Sequence, residues 1–157
     1  MTEEPKLTEA EWHRKQAVDL FNFTWTLIDK PDRTSAEDDL MIHAAHASRY
    51  HWGVAGTVVN YLRSDWQIAH VYTILHQSQA TVHYARCCLD QCLAHHIGDF
   101  DLAYAYEGMA RALACAGKTA EAQQAFRLAE QAGTQIAEAD DRELFQKDLA
   151  AGPWFDL

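Results

Sequence analysis

The sequence predicts an all-α protein of about seven helices. Apolar residues recur at the spacing of a helix with one buried face through most of the 157 residues. Repeated capping signals mark helix starts, in which a serine or threonine is followed three residues later by glutamate or glutamine. Only three prolines and seven glycines interrupt the chain. A chain of this length buries a sizeable core, so we expect one domain over residues 1–157.

Residues 1–62 are predicted to form a pair of long helices. Thr8 and Glu11 make a capping box for the first, which is expected to run to about residue 28 ahead of Pro31. Its predicted buried stripe is Ala10, Ala17, Leu20, Phe21, Thr24 and Ile28.

The second helix of this pair is predicted from about residue 36 to 62, with Ser35 as its N-cap. Gly53 and Gly56 are interpreted as a close helix crossing, because the apolar phase continues through both. The predicted inner face is Leu40, Ala44, Ala47, Val54, Val58 and Leu62.

Five shorter helices are predicted in the second half, over about residues 65–76, 80–96, 100–116, 119–132 and 138–150. A capping box from Ser64 to Gln67 opens the first of them. Gly117 is expected at a helix end with positive φ, and Gly133 is expected to end the next helix. In the last helix the predicted inward residues are Leu144 and Leu149, and the apolar tail behind it is Trp154, Phe155 and Leu157.

The formal charge of −10 predicts the kind of partner. A net acidic chain repels phosphate backbones and anionic headgroups, so neither nucleic acid nor a membrane surface is expected. Residues 1–11 carry acidic side chains and no apolar core, unlike a secretory signal or transit peptide. Three of the four cysteines fall on one predicted helix without a Cys-x-x-Cys pair, which indicates reduced thiols and a cytoplasmic location. No cofactor is predicted.

The second half repeats with an offset of 41 residues, which lays helix 3 on helix 5 and helix 4 on helix 6. The matched positions are Ala69 with Ala110, Tyr72 with Leu113, His76 with Gly117, Thr81 with Ala122, Ala85 with Phe126, and Cys88 with Ala129. Small residues at such spacing let two antiparallel helices approach closely.

Gly117, Ala122, Phe126 and Ala129 reproduce a turn glycine, a small residue, an aromatic residue and a second small residue. In this order and spacing the chain resembles tetratricopeptide repeats over residues 65–132, and it is also similar to small bacterial helical-repeat proteins. The resemblance implies antiparallel hairpins stacked as a short right-handed superhelix. Residues 1–62 would precede the two repeats, and residues 138–157 would add a capping helix and apolar tail.

The resemblance also implies a function, because tetratricopeptide proteins bind extended peptides along the first helices of their pairs. The corresponding positions here are Trp66, His70, Thr73, Tyr104, Glu107 and Arg111. A non-enzymatic adaptor for a protein or peptide partner is therefore expected. Two alternatives concern the same surfaces: the N-terminal helices cover this face and bury Trp66, or the apolar tail packs into a neighbouring molecule and forms a homodimer.

A second candidate site lies on helix 2, as a small-ligand or metal site that could be catalytic. His43 and His46 are three residues apart, and Tyr50 follows one turn beyond. His51 falls on the predicted apolar stripe, next to Trp52. Such a histidine pair can hold a transition metal with Asp39 as a third ligand. The competing interpretation is a buried, hydrogen-bonded histidine cluster.

Overall fold

A computed structural model describes residues 5–157, which form seven helices and no strand, so the predicted all-α class is confirmed. The helices are α1 (Glu9–Ile28), α2 (Ser35–Ala55), α3 (Val58–Ile74), α4 (Ser78–Ala94), α5 (Asp99–Cys115), α6 (Thr119–Thr134) and α7 (Ala139–Ala150). In the described residues, no helix combines the length and the apolar character needed to cross a membrane. The expectation for residues 1–11 falls partly on residues 1–4, which lie outside the described part.

The chain divides after Ser64 into two compact units. The division falls inside α3, close to the predicted junction between the N-terminal helix pair and the repeat region. The N-terminal unit contains α1, α2 and the start of α3, whereas the C-terminal unit contains α3 from Asp65 onwards and all later helices.

In the N-terminal unit, α1 and α2 pack as an antiparallel hairpin. The Ser48 hydroxyl donates across it to the Ala17 carbonyl at 2.8 Å. The predicted capping box of Thr8 and Glu11 is present at the start of α1. The buried residues that α1 contributes are Ala17, Thr24 and Leu27, and α2 contributes Met41, Ala44, Ala45, Ser48 and Trp52.

The prediction of one helix from residue 36 to 62 was wrong, because α2 ends at Ala55 and Gly56 is extended. A Cβ on Gly56 would lie 2.7 Å from the carbonyl oxygen of Trp52, so this bend requires glycine. Thr57 then opens α3, and its N–H and hydroxyl donate to the Asn60 side-chain oxygen at 3.0 and 3.3 Å.

Several predicted details of these helices were also wrong. The N-cap of α2 is Thr34, which forms its capping box with Glu37, and not Ser35. Ser64 lies within α3, where its hydroxyl donates to the Asn60 carbonyl, so no capping box starts there. Three residues of the predicted buried stripes are exposed: Ala10, Leu40 and Val54. The buried face of α2 is turned by about one residue relative to the prediction.

The C-terminal unit consists of consecutive antiparallel hairpins. The Thr81 hydroxyl of α4 donates to the Ala69 carbonyl of α3 at 2.8 Å. The matched alanines Ala110 and Ala122 are fully buried in one core cluster to which α3, α4, α5 and α6 all contribute. Helix α7 packs against α5 and α6 through Phe145.

Two predictions for α6 and α7 were wrong. Gly133 does not end its helix but lies buried within α6, where the ring of Phe145 occupies the place of a side chain. Leu144 is 46% exposed, and the inward residue of α7 is its neighbour Phe145, which is 1% exposed. The prediction of Leu149 as an inward residue was correct.

Three helices of this unit end in the same backbone motif. His76, His96 and Gly117 have φ values of 55°, 53° and 72°, in the left-handed region. The residue that follows each of them donates its N–H to the carbonyl of the residue five positions earlier, as Gln77 does to Tyr72 and Lys118 does to Leu113. The predicted positive φ of Gly117 is confirmed, and His76, its partner in the 41-residue shift, adopts the same conformation without being glycine.

Candidate functional site

A cluster of aromatic and charged side chains joins α3 to α5. The Trp66 ring is stacked on His70, with 5.0 Å between ring centroids and 10° between planes. Tyr104 meets the same indole edge-on at 5.7 Å. The indole approaches α5 closely, since a Cβ on Gly108 would lie 3.0 Å from its Cδ1 atom. Gly108 is therefore the residue of α5 that makes room for Trp66.

Glu107 and Arg111 form a buried ion pair at the centre of this cluster. Glu107 is 2% exposed and Arg111 is 4% exposed. Arg111 Nε donates to Glu107 Oε1, and Trp66 Nε1 donates to Oε2 at 3.1 Å. Burial raises the pKa of Glu107, while the Arg111 guanidinium lowers it. The pair thus holds two opposite charges in a place where neither is stable alone.

The other nitrogens of Arg111 bind the main chain of the C-terminal segment, residues 148–157. Nη2 donates to the Asp148 carbonyl at 2.6 Å. Nη1 donates to the carbonyls of Ala151 at 2.8 Å and Pro153 at 3.2 Å. The guanidinium carbon also lies 4.1 Å from the centroid of the Trp154 ring. One arginine therefore holds a peptide segment by three carbonyl oxygens and an aromatic face.

Further contacts fasten the same segment to the unit. The Tyr104 hydroxyl donates to Asp148 Oδ2 at 2.6 Å, and burial, followed by Asp148, raises the pKa of this tyrosine. Trp154 packs edge-on against Phe126 at 4.9 Å, and Phe155 against His76 at 5.1 Å. The predicted apolar tail thus packs on its own unit.

The structure brings five of the six predicted groove residues together: Trp66, His70, Tyr104, Glu107 and Arg111. Thr73 is the exception, because its hydroxyl lies in the α3–α4 core, bonded to the Ala69 carbonyl and 2.6 Å from the Thr81 hydroxyl. The Arg111 end of the predicted groove is filled by the C-terminal segment. Sequence reasoning missed Asp148 and placed Trp154 only in the apolar tail, because nothing in the sequence pairs either residue with Arg111.

His70 gives this cluster a pH dependence. Burial, and secondly the charge of Arg111, lower the pKa of His70 from 6.5 to about 4. Below pH 6.5 His70 is protonated in the unfolded chain but stays neutral in the folded chain. The free energy of unfolding therefore falls as the pH drops towards 4. We expect a loss of up to about 3 kcal/mol over this range.

Urea unfolding between pH 7.5 and 4 measures this effect in wild type and in His70→Phe, which keeps a ring beside Trp66 but cannot titrate. The wild type should lose stability relative to the variant over that range. His95→Phe replaces an exposed histidine of the same unit and serves as control. Parallel pH profiles for wild type and His70→Phe would contradict the expectation.

The predicted ligand pocket on α2 is not assembled as expected. Tyr50 is 65% exposed and His43 is also exposed, whereas Trp52 is 7% exposed and turned inward. Trp52 lines a cavity of about 160 Å³ with Val18, Phe21, Asn22, Asn60, Arg63 and Ser64. His46 is half-buried, and His51 faces His13 of α1, a residue that the sequence did not suggest. Within residues 5–157, no three histidine, cysteine or carboxylate side chains converge as metal ligands, so His43, His46 and Asp39 do not form the predicted metal group.

The cluster between α3 and α5 is thus a candidate binding site for a peptide main chain, and the α1–α2 hairpin carries a separate histidine pair. Compared with models of protein families, with curated proteins and with solved structures, the chain matches none.

Proposed function

We propose that this chain is a protein-interaction module of tetratricopeptide type, which acts as a non-enzymatic adaptor in the cytoplasm. Its binding face is the surface of α3 and α5 around Trp66, Tyr104, Glu107 and Arg111. The observation that carries the proposal is that Arg111 binds the carbonyls of Ala151 and Pro153, in the chain that follows α7, together with the ring of Trp154.

The chemistry of this face suits a peptide ligand. Main-chain carbonyls occur in every peptide, so Arg111 supplies affinity with little dependence on sequence. The contacts of Trp154 with Arg111 and Phe126 add selectivity for an aromatic side chain. Glu107 holds the guanidinium in place beforehand, which lowers the entropy cost of binding.

The C-terminal segment occupies this face as a tethered ligand. The part of the segment that binds Arg111 after α7 continues directly from that helix, so it acts at an effective concentration of about millimolar and competes with a partner peptide. A partner therefore binds the fraction of molecules in which the segment has been displaced, and its apparent affinity is reduced by that fraction.

The cytoplasmic location is supported by the four cysteines, none of which is in a disulfide.

The test uses the full chain with Trp154→Ala and Phe155→Ala, which weakens the tethered segment. The ligand is a fluorescent acetylated peptide with the sequence of residues 151–157, followed by anisotropy. We expect the variant to bind it about tenfold more tightly than wild type does.

Two controls separate specific recognition of the peptide from nonspecific binding. Arg111→Met in the same background should abolish binding, and a peptide with alanine in place of its tryptophan should bind more weakly. Circular dichroism verifies that each variant is folded. Absence of binding in the tail variant, or binding unchanged by Arg111→Met, would refute the proposed function.

A further inference from the structure

The cavity beside Trp52 has a volume of about 160 Å³ and lies within the N-terminal unit. Helices α1 and α2 and the first turns of α3 all contribute to its wall. The bend at Gly56 separates α2 from α3, so that residues of both helices meet α1 at the same place. Val18, Asn22 and Arg63 of the wall are exposed, so a small molecule can enter from solvent.

Three residues of the wall are apolar: Val18, Phe21 and Trp52. The Trp52 side chain is fixed from two directions. A Cβ on Gly56 would lie 2.9 Å from its Cε3 atom, so the indole packs closely on the bend. The guanidinium carbon of Arg14 lies 5.3 Å from the centroid of the same ring. A wall that is already ordered loses little conformational freedom when a ligand binds.

The polar residues of the wall offer mainly hydrogen-bond donors. The side-chain oxygen of Asn60 accepts from the N–H and the hydroxyl of Thr57, and this N–H can only donate, so the orientation of the amide is fixed. Its NH₂ group therefore has two protons to donate to a ligand. The Ser64 hydroxyl donates to the Asn60 main-chain carbonyl at 2.8 Å, so its proton is already used. Asn22 adds a second amide and Arg63 a guanidinium.

The charge around the cavity favours an anion. Among the wall residues in the described part of the chain, Arg63 is the only charged one. Arg14 adds a second positive charge, because its guanidinium lies over Trp52. The carboxylate of Asp19, on the same helix as Arg14, is paired with Lys15. A locally positive cavity attracts an anion even though the formal charge of the whole chain is −10.

The volume limits the size of the ligand. An apolar cavity of about 150 Å³ in a protein core holds one benzene molecule. A cavity of about 160 Å³ therefore holds one six-membered ring with a short substituent.

We propose that this cavity binds a small aromatic monocarboxylate. Its ring packs against Phe21 and Trp52, and its carboxylate accepts hydrogen bonds from Arg63 and the Asn60 NH₂ group. A carboxylate is planar and matches the fork of a guanidinium with two parallel hydrogen bonds. This site lies in the N-terminal unit and does not depend on the peptide site.

The test is an NMR titration of the ¹⁵N-labelled full chain with phenylacetate, which has one ring and one carboxylate. We expect saturable shifts of the Trp52 indole N–H and the Asn60 side-chain NH₂ signals. Phenylacetamide has the same shape without the charge and should bind about tenfold more weakly. Acetate carries the charge without the ring and should cause no saturable shift.

Two variants at exposed positions test the wall itself. Arg63→Met should weaken phenylacetate binding about tenfold. Val18→Trp places a large side chain in the cavity and should abolish binding. The matched controls are Arg127→Met, an exposed arginine of the other unit, and Val54→Trp, an exposed valine of α2 outside the wall; both should bind as wild type does. Circular dichroism verifies that each variant is folded.

Absence of a saturable shift in wild type would overturn the proposal, and so would equal affinities for phenylacetate and phenylacetamide. Wild-type affinity in Val18→Trp, or equal weakening by Arg63→Met and Arg127→Met, would place any binding outside this cavity and overturn it as well. Failure here leaves the peptide site untouched, because that site lies in the other unit.

Discussion

Arg111→Met is expected to lower the free energy of unfolding of the C-terminal unit by about 3–5 kcal/mol. The substitution leaves the Glu107 carboxylate buried without its opposite charge, and three carbonyls of the C-terminal segment lose their donor. Methionine retains much of the side-chain volume, so the loss reports the guanidinium and not a cavity. Urea unfolding followed by circular dichroism and tryptophan fluorescence measures it.

Two further variants identify the source of this loss. Arg127→Met removes an exposed arginine of the same unit and should change stability by less than about 0.5 kcal/mol. Glu107→Gln combined with Arg111→Met removes both charges, so it should cost about 1–3 kcal/mol less than the sum of the single variants. Additive losses, or equal effects of Arg111→Met and Arg127→Met, would contradict a buried ion pair.

Helix number and most helix bounds were predictable because they depend on local signals. The capping box of Thr8 and Glu11 and the turn at Gly117 were both read from the sequence and are present. The break at Gly56 was missed because apolar periodicity is insensitive to one extended residue between two helices. Its cap uses Asn60 where a capping box has glutamate or glutamine, so the usual pattern was absent.

Most residues of the candidate site were predictable from the sequence, but the packing of the C-terminal segment against Arg111 was not. Trp66 and Glu107 are separated by the 41-residue offset, so aligned positions of two hairpins meet through a hydrogen bond. The partners of Arg111 are main-chain carbonyls, which have no residue signature in a sequence. Thr73 shares a helical face with Trp66, but it lies close to the turn, where α4 approaches and takes its hydroxyl into the hairpin core.

The pairing of His13 with His51 could not be predicted because it depends on register between two helices. His51 was identified from its own helix alone, together with His43 and His46. A histidine in another helix becomes its neighbour only when the antiparallel packing of α1 and α2 is known. Sites that one helix builds by itself are accessible to sequence reasoning, whereas sites that two helices share require their alignment.

Phe145→Ala is expected to destabilise the C-terminal unit by about 3–5 kcal/mol. Phe145 is 1% exposed, and its ring meets Tyr104 edge-on at 5.0 Å within the core that joins α7 to α5 and α6. Removal of the ring leaves a cavity where α7 contacts the rest of the unit. Leu144→Ala, at the adjacent exposed position, is the matched control and should cost less than about 0.5 kcal/mol. Urea unfolding at pH 7.5 compares the two, and similar losses would show that Phe145 is not the anchor of α7.

The same ring makes the effect of Gly133→Ala depend on the background. In wild type the new Cβ would lie 2.4 Å from Phe145 Cε1, so the ring must shift inside a packed core, at a cost of about 1–3 kcal/mol. In the Phe145→Ala background the obstacle is gone, and alanine in place of a helical glycine should stabilise α6 by about 0.5–1 kcal/mol. The sign of the substitution therefore reverses between the two backgrounds, which a four-variant unfolding cycle detects. A loss of stability in both backgrounds would mean that Gly133 is required by the α6 backbone and not by the close approach of Phe145.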